Sequence, residues 1–592
     1  MQYYAHFIIP FTVGVAILFA VVLYKYVRWF WRMPSADKKL FGKGIFTSKT
    51  WGAVGEALSE SLLHRRIFRT NPLLGYMHMS LAFGWFLLIV VGWIETTMFL
   101  RGEFAPLHTH IFFKYFFPEE GTGIFPFLMD FLLLFVLSGV ALAWFKRMRS
   151  RTLGMRRTTK HTRGDRIALA ALWFIFPARL LAESATSAIH HSGNFLTGSV
   201  GKALAAICPS GVLDMVEPAT WWFYSMVLAL FFVAMPFSRY MHIFTEIPLI
   251  FMRRYGIRSE PSAKSFDHFQ IEACSRCGIC IDPCQLQSEA GICDVQSVYF
   301  LRDRRYNRLD QRVADNCLMC GRCEAKCPVG IELNTLRLNS RADYYNAPLD
   351  NRYDYLRPLD CSTGEGRVGY FAGCMTLLTP RIIKSMERIF ASAGEQVWWA
   401  DRDGGVCCGR PLKLSGEVDA AARVAEYNRA LFGKHGITTL VTSCPICLKV
   451  FREDYDLQRI EVLHHSQYIK RLIDSGRIAV DATKKRYAYH DPCELGRGSG
   501  IYDEPRAVIA SVGEVLEADE NRGEGLCCGS GLANTAIGDA GQAEIGRAVA
   551  ERFAATGAEA VVTACPLCKK AIARAATQPV YDLAEVVSGS LR

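Results

Sequence analysis

The sequence predicts a multidomain protein in three parts: a five-helix transmembrane bundle, a small α-helical module rich in cysteine, and a duplicated α/β cysteine-rich domain. Three observations carry that prediction. Five apolar runs of near-bilayer length fall within residues 7–240. Eight cysteines then repeat one short spacing twice between positions 274 and 327. Ten more fall into two copies of a five-cysteine pattern between positions 374 and 568. The boundaries expected from these landmarks are 1–255, 256–350, 351–480 and 481–592.

A chain of 592 residues has room for several domains. Hydrophobic residues make up 51%, and the mean hydropathy of +0.12 is too apolar for an ordinary soluble enzyme of this size. The excess lies in the first 250 residues. Net charge is +11, but the basic residues cluster between apolar runs instead of forming one polyanion-binding face. A nucleic-acid partner is therefore not expected.

The apolar runs cover about residues 7–31, 74–98, 124–145, 166–189 and 219–240, and the loops between them alternate in charge. The first loop holds ten lysines and arginines from Lys25 to Arg69, and the third holds nine from Lys146 to Arg166. The other two hold Arg101 with Lys114, and Lys202. By the positive-inside rule the N-terminus is outside and the C-terminal half cytoplasmic, the parity that five spans require in a bacterial inner membrane. The first run lacks a basic stretch before it and leads into Arg28 and Arg32, so it reads as a span and not as a cleaved signal. Residues 53–68 read as an amphipathic helix along the inner surface.

Ionisable residues in spans are expensive and mark function. His78 sits one turn into the second span and His242 ends the fifth, so topology puts both at one depth near the cytoplasm, as bis-histidine haem ligation requires. The alternative is two interfacial histidines that merely snorkel. In the fourth span Arg179 and Glu183 lie four residues apart on one helix face. Counted from Arg166 they lie roughly 20–26 Å from the cytoplasmic edge at about 1.5 Å per residue. They are candidates for binding and protonating a quinone, or else a structural ion pair.

After the linker SEPSAKS, Cys274, Cys277, Cys280 and Cys284 follow C-x2-C-x2-C-x3-C spacing, repeated by Cys317, Cys320, Cys323 and Cys327. In this two-cluster ferredoxin arrangement the fourth cysteine of each run ligates the other [4Fe-4S] cubane. Gln285, where proline is usual, follows Cys284, which makes Cys293 an alternative ligand.

The five-cysteine copies are Cys374, Cys407, Cys408, Cys444, Cys447 and Cys493, Cys527, Cys528, Cys565, Cys568. Corresponding positions are 119 to 121 residues apart. Five ligands with a vicinal pair fit a zinc site poorly, and a vicinal pair makes an awkward disulfide. In each copy apolar β-rich runs (RVGYFAGC, TTLVTSC, RYAYHDPC, AVVTAC) end at a cysteine. Helical stretches such as PRIIKSMERIF and AARVAEYNRALFGKHG lie between them, the latter closed by Gly436. Parallel α/β units place ligands at the carboxyl ends of strands. Cys208, Cys293 and Cys361 are left over from 21 cysteines, a number that implies a reducing compartment.

The duplicated pattern resembles the CCG domain of heterodisulfide reductases and of related glycolate and lactate oxidase subunits. That resemblance implies two non-cubane [4Fe-4S] clusters, one on each set of five. MPFSRYMHIF around His242 and GYMHMSLAFGW around His78 resemble the nitrate reductase gamma-type cytochrome b. The resemblance implies one haem b on these two histidines. A second pair of ligands would fall near Leu88 and Tyr224, which cannot serve; His6, His108, His110, His190 and His191 remain for an outer haem, with no spacing that selects among them.

No P-loop, hydride-cofactor fingerprint or serine–histidine–acid set is present, and GRGSG at 496–500 lacks a phosphate-loop context. The fused arrangement is similar to electron-transfer-flavoprotein:menaquinone oxidoreductases. This implies an enzyme that carries electrons from an electron-transfer flavoprotein, or another cytoplasmic redox protein, to menaquinone in the lipid bilayer. Quinol-linked thiol–disulfide reduction and a wire within a larger respiratory complex are the alternatives.

Overall fold

The computed structural model describes residues 4–101, 104–118, 123–148, 161–259, 265–356, 360–402, 407–531 and 536–592. Most of the third, basic loop (149–160) and linker residues 260–264 lie outside them. The chain divides into two compact units, Met1–Gly278 and Ile279–Arg592.

Among the described residues of the first unit, five helices are long and apolar enough to cross a membrane: Ile8–Trp31, Pro72–Phe99, Ile124–Lys146, Arg163–His190 and Ser210–Phe237. Local chemistry sets where they begin. Asn71 Oδ1 accepts from the Leu74 N–H at 3.0 Å, with Pro72 in the first turn where it sacrifices no hydrogen bond. Thr162 and Asp165 form a reciprocal capping box at the fourth span. Large apolar side chains such as Phe19, Leu23, Phe131, Trp144, Phe174 and Leu230 face outward, a distribution that water would penalise and hydrocarbon accepts. Where the first and fifth spans cross, a Cβ on Gly14 would come within 2.8 Å of Ala229 Cα, so only glycine permits the approach.

Two expectations are corrected here. Residues 53–68 are not one amphipathic helix: Lys49–Ala57 runs into a wide turn, Leu58–Leu62, and His64, at φ 52°, breaks the chain before Arg65–Thr70. The fifth span does not end at His242. It ends in two short 3-10 turns around Pro236, which cannot donate to the helix ladder, and His242 opens a new helix, His242–Tyr255.

The second unit begins inside the first ferredoxin-type run. Short helices, among them Gln285–Ser288, Ser297–Arg305 and Leu333–Tyr345, carry the cysteine loops. Two four-stranded parallel sheets follow. The first contains β1 (Val368–Phe371), β2 (Val397–Trp399), β3 (Thr439–Thr442) and β4 (Glu461–His464), in the order β2-β1-β3-β4. The second contains β5 (Arg486–His490), β6 (Glu514–Leu516), β7 (Ala560–Thr563) and β8 (Val580–Asp582), in the order β6-β5-β7-β8. The duplication in sequence is thus a duplication in topology. The strands predicted at 368, 439, 486 and 560 form the two central pairs; the outer strands are too short to show a period. Tyr370, Trp398, Leu440, Phe432 and Phe451 are buried beneath the first sheet. Each such side chain contributes about 1.5–3 kcal/mol when removed from water.

Candidate functional site

In both copies the site is built at strand ends. β3 runs into Ser443 and Cys444, and Pro445 starts the helix that carries Cys447. β7 runs into Ala564 and Cys565, and Pro566 starts the helix that carries Cys568. Proline suits this first helical turn because its missing N–H would be unpaired there anyway. The glycine after each vicinal pair has φ near +80°, Gly409 at 82° and Gly529 at 85°. At Gly529 a Cβ would also meet Gln542 O and Ile545 Cβ at 3.0 Å, so the chain can turn back from the cysteines only with glycine.

These turns gather the thiols. In the first copy Cys407 touches Cys408, Cys408 touches Cys447, and Cys447 touches Cys444. Cys374 lies within electrostatic reach of Cys408 and Cys444 and is the one exposed member. In the second copy Cys527 touches Cys493 and Cys528, Cys528 touches Cys568, and Cys568 touches Cys565. Four of these five thiols are buried; Cys493 is half-buried. All five line a cavity of about 520 Å³, closed by Leu318, Met319, Leu414, Ile446 and Leu567. In the ferredoxin-type module Cys284, Cys317, Cys320 and Cys323 are mutual neighbours, the grouping expected for one cubane. Cys274 and Cys277 fall in the first unit, Cys280 and Cys327 in the second.

The sets adjoin one another. Cys444 lies within electrostatic reach of Cys565, and the Cys527 thiol donates to Cys320. That hydrogen bond, with Arg497 and Arg322 alongside, brings the Cys320 thiol down to about 6. Burial pushes Cys284 up to about 12 and Cys374 up to about 11. Such thiols keep their protons at neutral pH until a metal displaces them. No disulfide joins any of the 21 cysteines. Among the described residues no three Cys, His, Asp or Glu side chains gather tightly enough for a single metal ion. A four-iron cluster spreads its thiolates over separate irons, so these sets fit it better than they fit zinc.

Residues without a motif of their own hold the cysteine loops. Asp401 accepts from the Ala372 N–H (2.9 Å) and Gly373 N–H (2.7 Å) just before Cys374. Asn428 donates to Cys407 O at 3.0 Å and the Tyr455 hydroxyl to Cys408 O at 3.0 Å. His490 Nε2 lies 3.2 Å from Leu526 O; a carbonyl only accepts, so Nε2 carries the proton. Arg497, in the GRGSG stretch, donates to Cys320 O (2.6 Å) and Gly525 O (2.7 Å). Buried Glu494 is shared by Arg410 (3.2 Å) and Lys449 (3.7 Å), which join the two copies. No local sequence signal marks these side chains, because their partners are far away in the chain.

In the first unit His78 and His242 share one neighbourhood, joined by His64, whose ring stacks on His78 at 5.5 Å. His242 Nδ1 donates to Arg239 O at 2.7 Å, so Nε2 is the nitrogen that can bind a metal. Arg179 Nε donates to Glu183 Oε1 at 2.8 Å, as the four-residue spacing predicts. Tyr224 is hydrogen-bonded to the same guanidinium. A second buried pair, Lys114–Glu95 at 3.1 Å, lies within electrostatic reach of Arg179 and has no signature in the sequence.

Comparison with known proteins matches residues 368–452 and 487–573 to the cysteine-rich CCG domain and 273–332 to a 4Fe-4S dicluster domain. The chain is a relative of the CCG-containing subunit of heterodisulfide reductases and of EtfAB:quinone oxidoreductase. The matching subunit of the dihydromethanophenazine:CoB–CoM heterodisulfide reductase from Methanosarcina barkeri is 25% identical over 51% of this chain and 88% of its own. EtfAB:quinone oxidoreductase from Syntrophomonas wolfei is 22% identical over 89% of both chains. One subunit of the fumarate reductase (CoM/CoB) of Methanothermobacter marburgensis is 29% identical over 51% of this chain and 68% of its own. Across these and similar methanogen relatives the match takes in 58% to 88% of their length. Of the three named, the quinone oxidoreductase alone extends over the region of the five apolar helices.

Proposed function

We propose that the chain is a membrane-bound oxidoreductase that moves electrons from a cytoplasmic electron-transfer flavoprotein to menaquinone. The observation that carries this reading is the succession of adjoining thiol sets in the second unit, from Cys374 through Cys444 and Cys565 to Cys527 and Cys320. Bound there, two non-cubane clusters and the cubanes supply one-electron chemistry. Cys284, Cys317, Cys320 and Cys323 would hold one cubane, and Cys274, Cys277, Cys280 and Cys327 the other. The protein's part is to hold the thiolates, to exclude water with Leu318, Met319, Leu414 and Ile446, and to orient the loops. His78 and His242, through Nε2 of the latter, would hold one haem b toward the cytoplasmic face. Arg179, Glu183 and Tyr224 would orient a quinone carbonyl and deliver its proton, with Lys114 and Glu95 behind them. Similarity to EtfAB:quinone oxidoreductase over 89% of the chain supports the reading.

The test is reduction of the anaerobically purified protein by reduced electron-transfer flavoprotein. The haem α-band should rise, and Cys444→Ser or Cys565→Ser should abolish the rise while leaving direct dithionite reduction intact. An α-band that rises equally in both variants would reject the reading. A second reading, quinol-driven disulfide reduction, is favoured by the cavity beside the second thiol set. Reoxidation of the reduced protein by a disulfide would decide for it, and co-purifying subunits would point to a wire within a larger complex.

A further inference from the structure

Gln285 occupies the position after the fourth cysteine, where this ferredoxin spacing ordinarily carries proline, as Cys327 does with Pro328. The side chain is 2% exposed. Its amide satisfies both backbone polar groups of one distant residue: the Cys527 N–H donates to Oε1 at 2.8 Å, and Nε2 donates to Cys527 O at 3.0 Å. The two residues lie 242 positions apart. Cys284, one residue before the glutamine, is a neighbour of Cys320, and Cys320 accepts the Cys527 thiol hydrogen bond. The contact therefore closes a ring: Cys284 to Gln285 through the chain, Gln285 to Cys527 through two hydrogen bonds, Cys527 to Cys320 through sulfur. Proline or an apolar side chain could make neither bond.

We propose that Gln285 is a positioning residue that locks the second five-cysteine set onto the set of Cys284, Cys317, Cys320 and Cys323, and so fixes the coupling between the two redox centres. In the step it serves, one electron leaves one centre and enters the other; no bond forms and no proton is transferred. Docking of the two segments does not depend on this amide. Arg497 binds Cys320 O, Lys326 pairs with Glu524, and Leu286, Leu318, Ile537 and Ile545 pack around Cys527. The backbone N–H of Gln285 lies in the first turn of Gln285–Ser288, where a donor has no partner within the helix, so proline fits there. What the amide adds is register: a ligand on one side and the residue after a ligand on the other are held by paired, oppositely directed bonds. Each buried hydrogen bond contributes about 1 kcal/mol, and a group left unpaired costs about 1–3 kcal/mol, so the loop at Cys527 will shift when the pair is lost.

The inference rests on the cluster reading above but needs neither the flavoprotein nor the quinone. The full-length protein is purified anaerobically as wild type, Gln285→Leu, Gln285→Pro and Gln285→Asn, and its iron is counted. Spin coupling between reduced centres is read by electron paramagnetic resonance, and intercentre transfer by freeze-quench after a dithionite pulse. The variants should keep wild-type iron, lose or alter the coupling signal, and equilibrate about tenfold more slowly, a factor that corresponds to about 1.4 kcal/mol. Asparagine, one methylene short of the reach, should behave like leucine. Unchanged coupling and rate in leucine and asparagine variants with full iron would overturn the proposal. So would loss of iron in all three variants, because the residue would then be holding a cluster and not a coupling. A wild type without two interacting centres would instead reject the cluster reading itself.

Discussion

At the scale of single residues the second unit depends on buried charges with specific partners. Glu494 pairs with both Arg410 and Lys449, and Arg410 is buried. Removing one partner of a buried pair strands the other charge, at a cost of about 3–5 kcal/mol. Glu494→Ala should therefore lower the unfolding midpoint of the purified protein sharply, whereas the surface variant Glu544→Ala, whose Arg547 is exposed, should change it by less than about 1 kcal/mol. Asp401 gives a pH dependence. Burial pushes its carboxyl up to about 6 against the Ala372 and Gly373 N–H bonds, from an ordinary value near 3.8. A raised carboxyl pKa means that the folded state holds the proton more tightly, so its contribution is full below about pH 4 and is lost as pH climbs through about 6. Asp401→Asn should flatten unfolding curves measured across that window, by about 3 kcal/mol at most.

At the scale of elements, the loop after the fourth span is held by one buried side chain of the third. Asp130 accepts from the N–H groups of Asn194 (3.2 Å), Leu196 (2.8 Å) and Thr197 (3.0 Å) and from the Thr197 hydroxyl (2.7 Å). Hydrogen bonds to a charged acceptor are worth about 1.5–3 kcal/mol each, and the four are not additive. Asp130→Ala should lower the thermal midpoint in detergent by more than any lipid-facing substitution such as Phe131→Ala, and proteolysis should report the freed 191–197 loop. The 3-10 turns at Pro236 are the other decisive element, since they separate His242 from the fifth span and reset which way its ring faces. His78→Ala and His242→Ala should each abolish the α-band. His64→Ala should shift it without abolishing it, because His64 stacks on His78 and is not one of the two proposed ligands.

At the scale of the whole molecule the expected content is about 16 non-haem irons and one b haem per chain, counting four irons per cluster. A measured value near eight irons would remove the paired non-cubane clusters. Much of this organisation was legible in the chain alone. Span positions, the central strands of both sheets and the grouping of each thiol set follow from short-range spacing, because apolar period, turn residues and ligand intervals are local quantities. The outer strands, the break at His64 and the true end of the fifth span were not legible, since each is set by three or four residues whose preference is weak next to the packing around them.

The sequence by itself determined which chemistry the protein can hold: the ligand intervals, the duplicated five-cysteine pattern and the alternating loop charge are written in order along the chain. Only the tertiary structure decided how the second-unit thiol sets are joined. The bonds that join them, Gln285 to Cys527, Arg497 to Cys320 and Glu494 to Arg410, connect residues 242, 177 and 84 positions apart. Their partners are backbone atoms and buried charges with no signature of their own, and folding alone brings them within reach.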